Sequence, residues 1–431
     1  MISLRRNSSR ISAAFIGLPL LILFSAGCQK TSPSPEPNHY LLVSHSALNR
    51  VTIFDLATRK IVGAVPTQKL PHDMLLTRDH LLYVVNSGAQ SVTTYDLKNP
   101  EFWIYAHEFI KKDSARSSSP KSPQATMFGA GHASGGGTMK DSAAWTNLNR
   151  DPVQSLPTTF AHTYLTDPHF PEVALPMHEK VGALSHTTCF DCHDRSVGGK
   201  PFAPTFSRDS SEIFLVHLGY EKVTFLDSRT LAVKREISLG IPPQYSPVEA
   251  WISPDQTTCF VSCRNETGMS RPGLILVLDL HSGALLKSIT AGIYPCHLLA
   301  DPSGKKLYVN NFQSSRVSIV DVEKRAIIDS LIVENGPSMM KLLPESNTLV
   351  VSCFYTDRVL FVNLATKKVE KAVNVDGNPT TLEFSTDGKK LYVLCGGESS
   401  LNVVDVPSGK VIEKDTMLFG AYAFLSVDNQ L

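Results

Sequence analysis

This chain lacks an excess of charge of either sign. Its 41 lysines and arginines stand against 40 aspartates and glutamates, a formal net charge of +1 over 431 residues. That balance builds no basic surface for nucleic acid or for an anionic membrane. Cysteine is scarce too: eight in this length are too few for a disulfide scaffold. The apolar stretch from Ile11 to Phe24 is too short, and wrongly flanked, to be a stable membrane span. The length admits two or three average domains or one large all-β domain.

What is present begins with an export signal over residues 1–28. Arg5, Arg6 and Arg10 form a basic n-region, and Ile11 to Phe24 an apolar h-region. Arg5-Arg6 lacks the flanking residues of a twin-arginine signal. The run ends Ser25-Ala26-Gly27-Cys28, which resembles a bacterial lipoprotein signal, although Ser25 stands where leucine is commonest. The resemblance implies that Cys28 is lipidated and becomes the mature N-terminus. Residues 29–39 then form a Pro/Ser tether, TSPSPEPN being its centre. The chain is therefore expected to be exported and anchored by lipid alone, facing the periplasm or the cell exterior.

A second signal lies in SHTTCFDCHDR, residues 185–195. Cys189, Cys192 and His193 spell C-x-x-C-H, the pattern of covalent c-type haem attachment. Two thiols bond the two vinyl groups of one haem, and the adjoining histidine turns its imidazole onto the iron as proximal ligand. The same residues also suit a disulfide, a redox dithiol, or a zinc site that recruits His186 with His193. Export favours haem, with a disulfide as the competing reading.

From Tyr40 onward the chain repeats about every 42 residues, a period that means a propeller or solenoid. The clearest unit, from Asn378 to Leu418, parses into four short strands with alternating apolar residues bounded by Gly, Asp and Ser. One marker ends the second strand: His45, Asn86, His217, Cys263, Asn311, Cys353, Cys395. Another ends the third: Asp55, Asp96, Asp227, Asp279, Asp321, Asn363, Asp405. Ten positions separate them in all repeats but the fourth, where RNETGMSRPG lengthens the loop. Seven repeats predict seven blades.

The motif Tyr83-Val84-Val85-Asn86, with Tyr308-Val309-Asn310-Asn311 less closely, resembles the YVTN-type β-propeller family. The resemblance implies an all-β seven-bladed propeller over residues 40–431, and leaves function open because one fold hosts many roles. The first blade has no opening strand. The residues from Gly420 to Asp428 align with Pro379 to Asp387, Ser426 on Ser385, so the C-terminal strand is expected to close the ring. Residues 108–200 interrupt the repeat as an insertion between blades 2 and 3. Blade 2 is taken to end with a fourth strand near Phe102 to Ala106.

Placed as a connection between blades, the insertion opens on the face that carries the second-strand ends. That face is expected to gather His45, His72, His217, His297 and several cysteines around the channel mouth. Each has a plainer role: strand-end histidines hydrogen-bond their loops, and Cys263, Cys353 and Cys395 pack as small buried residues. A copper or zinc site among the cysteines is the sharper alternative. Cys259 and Cys263, four apart on one strand, are too distant to bridge. For the sixth iron ligand, Met177 and His178 come first and His72 and His297 second. The chain does not resemble an ordinary small cytochrome c domain, where C-x-x-C-H lies near the start.

The expected function is periplasmic electron transfer or redox catalysis with one haem c. A filled sixth iron position suits electron transfer, and an open one a haem-dependent oxidoreductase or gas sensor. The partner is a redox protein or a small-molecule substrate. The alternative is a non-enzymatic module recognising protein or glycan, with Cys189 and Cys192 as a disulfide or metal clip.

Overall fold

The computed structural model describes residues 38–77, 79–116, 194–196, 200–207, 209–267 and 270–429. The first blade holds β1 (Asn38–His45), β2 (Arg50–Asp55) and β3 (Lys60–Pro66), and the second β4 (Pro71–Leu76), β5 (Leu81–Asn86) and β6 (Ser91–Asp96). Helix α1 (Pro100–Arg116) and a short strand β7 (Asp194–Ser196) follow. The third blade is β8 (Pro201–Phe206), β9 (Glu212–His217), β10 (Lys222–Asp227) and β11 (Val233–Ser238). The fourth is β12 (Tyr245–Ile252), β13 (Thr258–Asn265), β14 (Pro272–Asp279) and β15 (Leu285–Ile293). The fifth is β16 (Pro295–Ala300), β17 (Lys306–Asn311), β18 (Arg316–Asp321) and β19 (Ala326–Ile332). The sixth is β20 (Pro337–Leu342), β21 (Thr348–Cys353), β22 (Arg358–Asn363) and β23 (Lys368–Asn374). The seventh is β24 (Pro379–Phe384), β25 (Lys390–Cys395), β26 (Ser400–Asp405) and β27 (Lys410–Thr416), and β28 (Ala421–Asn429) ends the chain. These strands form seven four-stranded antiparallel sheets, the blades of a propeller.

Burial follows the position of a strand within its blade. In the seventh blade β25 and β26 are buried on both faces, whereas the outer β27 alternates between exposed and half-buried. The two middle strands are sandwiched between neighbouring blades and so read as nearly continuous apolar runs. Among the described residues the core is accordingly divided into seven clusters, each drawn from two adjacent blades. One, for example, joins Leu331 and Val333 of the fifth blade to Met340 and Leu349 of the sixth. Another joins Leu394 and Leu401 of the seventh to Leu41 and Phe54 of the first.

The first sheet has the order β28-β1-β2-β3, with eight paired positions between β28 and β1. The register differs by one residue from the repeat alignment. Phe424 lies opposite Val43 as Leu382 lies opposite Val393, so Ala421 and not Gly420 takes the place of Pro379. A shift of one residue exchanges the two faces of a strand, and the observed register is the one that buries Phe424. It also sets Gly420, at φ +73°, where Asn378 sits at φ +57°.

The second blade departs from expectation. Phe102 to Ala106 is helix rather than strand, and the fourth strand is β7, paired with β6 through Ser91–Ser196, Val92–Arg195 and Thr93–Asp194. A strand would set Phe102, Ile104 and Ala106 on one face, but Ile104 is 60% exposed while Phe102 and Ala106 are fully buried. Spacing by four is helical. The helix start is chemically marked: Pro100 at the first turn, where its missing N–H costs nothing, and Asn99 as cap, its Oδ1 accepting from the Glu101 amide at 3.0 Å. Phe102 and Ala106 join the cluster between the first two blades. The long interruption therefore falls inside the second blade, between its third and fourth strands, and not between blades 2 and 3. Among the described residues no helix is long and apolar enough to cross a membrane.

Candidate functional site

Six of the seven blades open in the same way. A proline at or near the start of the innermost strand pairs with the marker residue of the second: Pro71 with Asn86, Pro201 with His217, Pro247 with Cys263, Pro295 with Asn311, Pro337 with Cys353, Pro379 with Cys395; in the first blade Ala421 takes that place opposite His45. Just past that proline the pairing register shifts in all six. Irregularities of this kind re-aim side chains. Here they let consecutive residues, His72 with Asp73 and Cys296 with His297, both line one cavity of ≈350 Å³ to which every blade contributes.

Two histidine–carboxylate couples stand in its wall. On β4, His72 Nδ1 donates to Asp73 Oδ2 at 2.9 Å, and the Ala203 amide donates to the same oxygen at 3.1 Å. Burial works to raise the Asp73 carboxyl, but His72, the Ala203 amide and the field of His297 together hold it below the usual carboxylate range. The His72 ring lies between Phe202, with centroids 4.0 Å apart, and Tyr422 of β28, at 3.7 Å. Tyr422 is 37% exposed, yet the surrounding cavity wall desolvates its phenol and, with Asp73, drives it well above the ordinary range.

The second couple joins two blades. His297 Nδ1 donates to Glu249 Oε2 at 2.9 Å, its Nε2 donates to the Met340 carbonyl at 3.3 Å, and the Leu298 amide also reaches Glu249 at 3.2 Å. Burial would lower the imidazole, but Glu249 and the Met340 carbonyl outweigh it and raise the pKa. Both His297 ring nitrogens are thus engaged with acceptors, an arrangement that favours the protonated ring. Next to it the Cys296 thiol is pushed up to about 12 by burial and by Glu249, and stays protonated.

Part of the remaining wall is aromatic, alongside Val248, Gln313, Met339 and Thr380. Phe312 lies 5.7 Å from Phe354 and 5.1 Å from Tyr355, and Tyr294 is 5.6 Å from Phe312. Arg264 stacks on Tyr294 with its carbon 5.0 Å from the ring centroid and pairs with Glu266 at 2.7 Å.

The structure brings His72, His297 and Cys296 together and leaves the other expected mouth residues elsewhere. His45 and His217 are fully buried inside their blades, where Nε2 of each meets a strand hydroxyl seven residues on, Thr52 and Thr224, at 2.8 Å. Asn86 and Asn311 do the same with Thr93 and Ser318. Where the strand-end marker is histidine or asparagine, it is thus a structural residue tying the second strand to the third. Cys259, Cys263, Cys353 and Cys395 are free and buried, and no metal-holding group of three or more His, Cys, Asp or Glu occurs among the described residues. Cys28, Met177, His178, Cys189, Cys192 and His193 lie outside the described residues. Asp73, Glu249, Tyr422 and the aromatic wall were not anticipated. Their signal was positional: two residues past a blade-opening proline for the acids, and immediately after the strand-end marker for Arg264, Phe312 and Phe354.

No family model matches the chain, and no curated protein matches it in sequence. Solved structures do match in fold. A functionally unknown protein from Desulfotomaculum acetoxidans DSM 771 is 12% identical, at a TM-score of 0.57 over 90% of this chain and 98% of that one. The periplasmic gluconolactonase PpgL of Pseudomonas aeruginosa is 14% identical, at 0.56 over 90% and 99%. The dihydro-haem d1 dehydrogenase NirN is 13% identical, at 0.52 over 90% and 75%. At such identities the likeness is one of fold: this chain is a seven-bladed β-propeller.

Proposed function

We propose that the protein is an exported, lipid-anchored propeller carrying one covalent c-type haem and acting in periplasmic electron transfer or redox catalysis. The observation that carries this reading is Cys189-x-x-Cys192-His193 following an export signal that ends at Cys28. Cys189 and Cys192 attach the group and His193 is its proximal ligand; bound there, haem supplies one-electron chemistry. His193 is bonded to Asp194, the first residue of the outermost strand of blade 2. Tethering at the rim of a blade suits exchange with a protein partner.

His72 fits a ligand role in one respect, since a carboxylate holds its far nitrogen, as is usual for metal-binding imidazoles. Its place does not favour that role. β4 lies three strand spacings, about 14 Å, inward of β7. His297 has no ring nitrogen to offer. Met177 and His178 therefore stand first as the sixth ligand.

Protein matured in a haem-attaching host should show a Soret band, and Cys189→Ala or Cys192→Ala should abolish the covalent pigment. A colourless wild-type protein with a Cys189–Cys192 disulfide would leave the binding-module reading, which the cavity at the channel mouth favours. Wild-type protein should fractionate with membranes and Cys28→Ala should not; recovery of the wild type in the soluble periplasm would end the lipoprotein reading. Closure of the ring by β28 is part of the same proposal, because Tyr422 on that strand completes the wall around His72.

A further inference from the structure

We propose that the channel-mouth cavity binds a small, uncharged, planar aromatic molecule that presents an O–H or N–H donor to His72. Four observations carry this. The volume of ≈350 Å³ is the share of about a dozen waters and lies at the small end of ligand sites.

The carboxylates at the rim are already engaged. Asp73 accepts from His72 and the Ala203 amide, Glu249 from His297 and the Leu298 amide, and Glu266 from Arg264. A ligand with net charge would bring an unmatched charge into a largely apolar cavity, at considerable cost.

The rings of Phe312, Phe354 and Tyr355 form a wall with centroids 5.1–5.7 Å apart and planes inclined to one another by 56–89°, a surface on which another ring stacks or meets edge to face.

On the facing side, Asp73 accepts the Nδ1 proton of His72. In that tautomer Nε2 is an acceptor, and Phe202 and Tyr422 on the two ring faces fix its direction. An acceptor fixed opposite an aromatic wall selects a phenol-like or N–H-bearing ring. The inference is independent of haem attachment.

The test uses 2-naphthol as probe on the full-length protein, repeated with Cys189→Ala/Cys192→Ala protein so that the haem reading is separated from this one. Calorimetry or fluorescence titration should give saturable 1:1 binding. 2-Methoxynaphthalene, which lacks the donor, should bind at least tenfold more weakly. So should naphthalene-2-sulfonate and 2-naphthylmethylammonium. Phe312→Leu and Phe354→Leu, chosen to keep the core filled and checked by melting temperature, should each weaken naphthol by about tenfold. His72→Ala should erase the difference between naphthol and its methyl ether. Equal binding of either charged analogue, unchanged affinity in both Phe variants, survival of the naphthol preference in His72→Ala, or no saturable binding would each overturn the proposal.

Discussion

Two blades complete their sheets with chain from far away, and they do so at opposite ends. The first takes its innermost strand, β28, from the C-terminus; the second takes its outermost strand, β7, from beyond a long interruption. β28 pairs with β1 at eight positions, adds Phe424 to the cluster shared with the seventh blade and Val427 to that shared with the second, and sets Tyr422 against His72. β7 pairs with β6 at three positions. Beside it, α1 rather than a strand fills the outer part of the cleft between the first two blades. The inner seam joins blades and shapes the cavity. The outer seam is an edge, and edges tolerate substitution of one element by another.

The largest effect should come from removing the inner strand. Deleting Gly420 to Leu431 strips β1 of its partner, leaving a row of unpaired backbone groups and two clusters open to water. The truncated protein should aggregate or melt well below the parent. Thermal unfolding at the parental temperature would show that the two seams do not differ.

The inner seam also carries a titratable group. His45, the last residue of β1, faces the Leu418 carbonyl at 3.1 Å and the Phe419 carbonyl at 3.4 Å, just before β28. Burial pushes its imidazole down to about 4, against the pull of those carbonyls and with the help of Arg50. The folded state thus resists the proton that the unfolded chain takes up near pH 6.5. Stability is fully present above that pH and is lost as pH falls from 6.5 toward 4, by about 3 kcal/mol from the shift. His45→Asn removes the titration while keeping a donor for Thr52, as Asn86 and Asn311 do in their blades. Chemical denaturation at pH 7.5 and pH 4.5 should show wild type losing far more than the variant. Equal losses would place the acid lability elsewhere.

Much of the fold could be read in advance because it is periodic. Seven markers on strand ends, each ten residues before an acid or amide in six of seven repeats, count blades without reference to side-chain detail. The second blade is harder to read because its fourth strand, β7, lies far along the chain from where the period places it, and Phe102 and Ala106 fit a strand period although Asn99-Pro100 marks a helix start. The site was only half legible. His72 and His297 stand out in a sequence because histidine is chemically conspicuous. Asp73, Glu249 and the aromatic wall become a site only when irregular pairing and sevenfold arrangement turn neighbouring positions toward one axis. His45 and His217 looked like mouth residues on the same evidence, and they face inward because a strand hydroxyl seven residues away satisfies them.

A finer probe of the inner seam is Gly420. Its φ of +73° is the left-handed value that Asn378 and Leu70 hold at the corresponding blade entries, at +57° and +52°. A Cβ added there would lie 2.8 Å from the Ala47 Cβ. Gly420→Val combines backbone strain with that contact and should cost about 2 kcal/mol. Gly420→Asn, whose side chain tolerates this conformation, should cost less. Denaturant midpoints of the two variants decide it, and equal values would remove the backbone from the account.

The smallest effect should be at the outer seam, and proline is the sharpest instrument because it removes a backbone donor wherever it is placed. At Arg195, central in β7 and opposite Val92, it can cost no more than one ladder bond on a three-residue edge, about 1 kcal/mol. At Phe424, opposite Val43 in β28, the same residue breaks a ladder between two clusters and withdraws a buried ring, a loss of about 3–5 kcal/mol from the side chain alone. Arg195→Pro should melt within a few degrees of wild type and keep naphthol binding, while Phe424→Pro should be largely unfolded or bind nothing. Comparable destabilisation by the two would mean that β7 holds its blade as firmly as β28 holds the first, and that the outer strand is no mere edge.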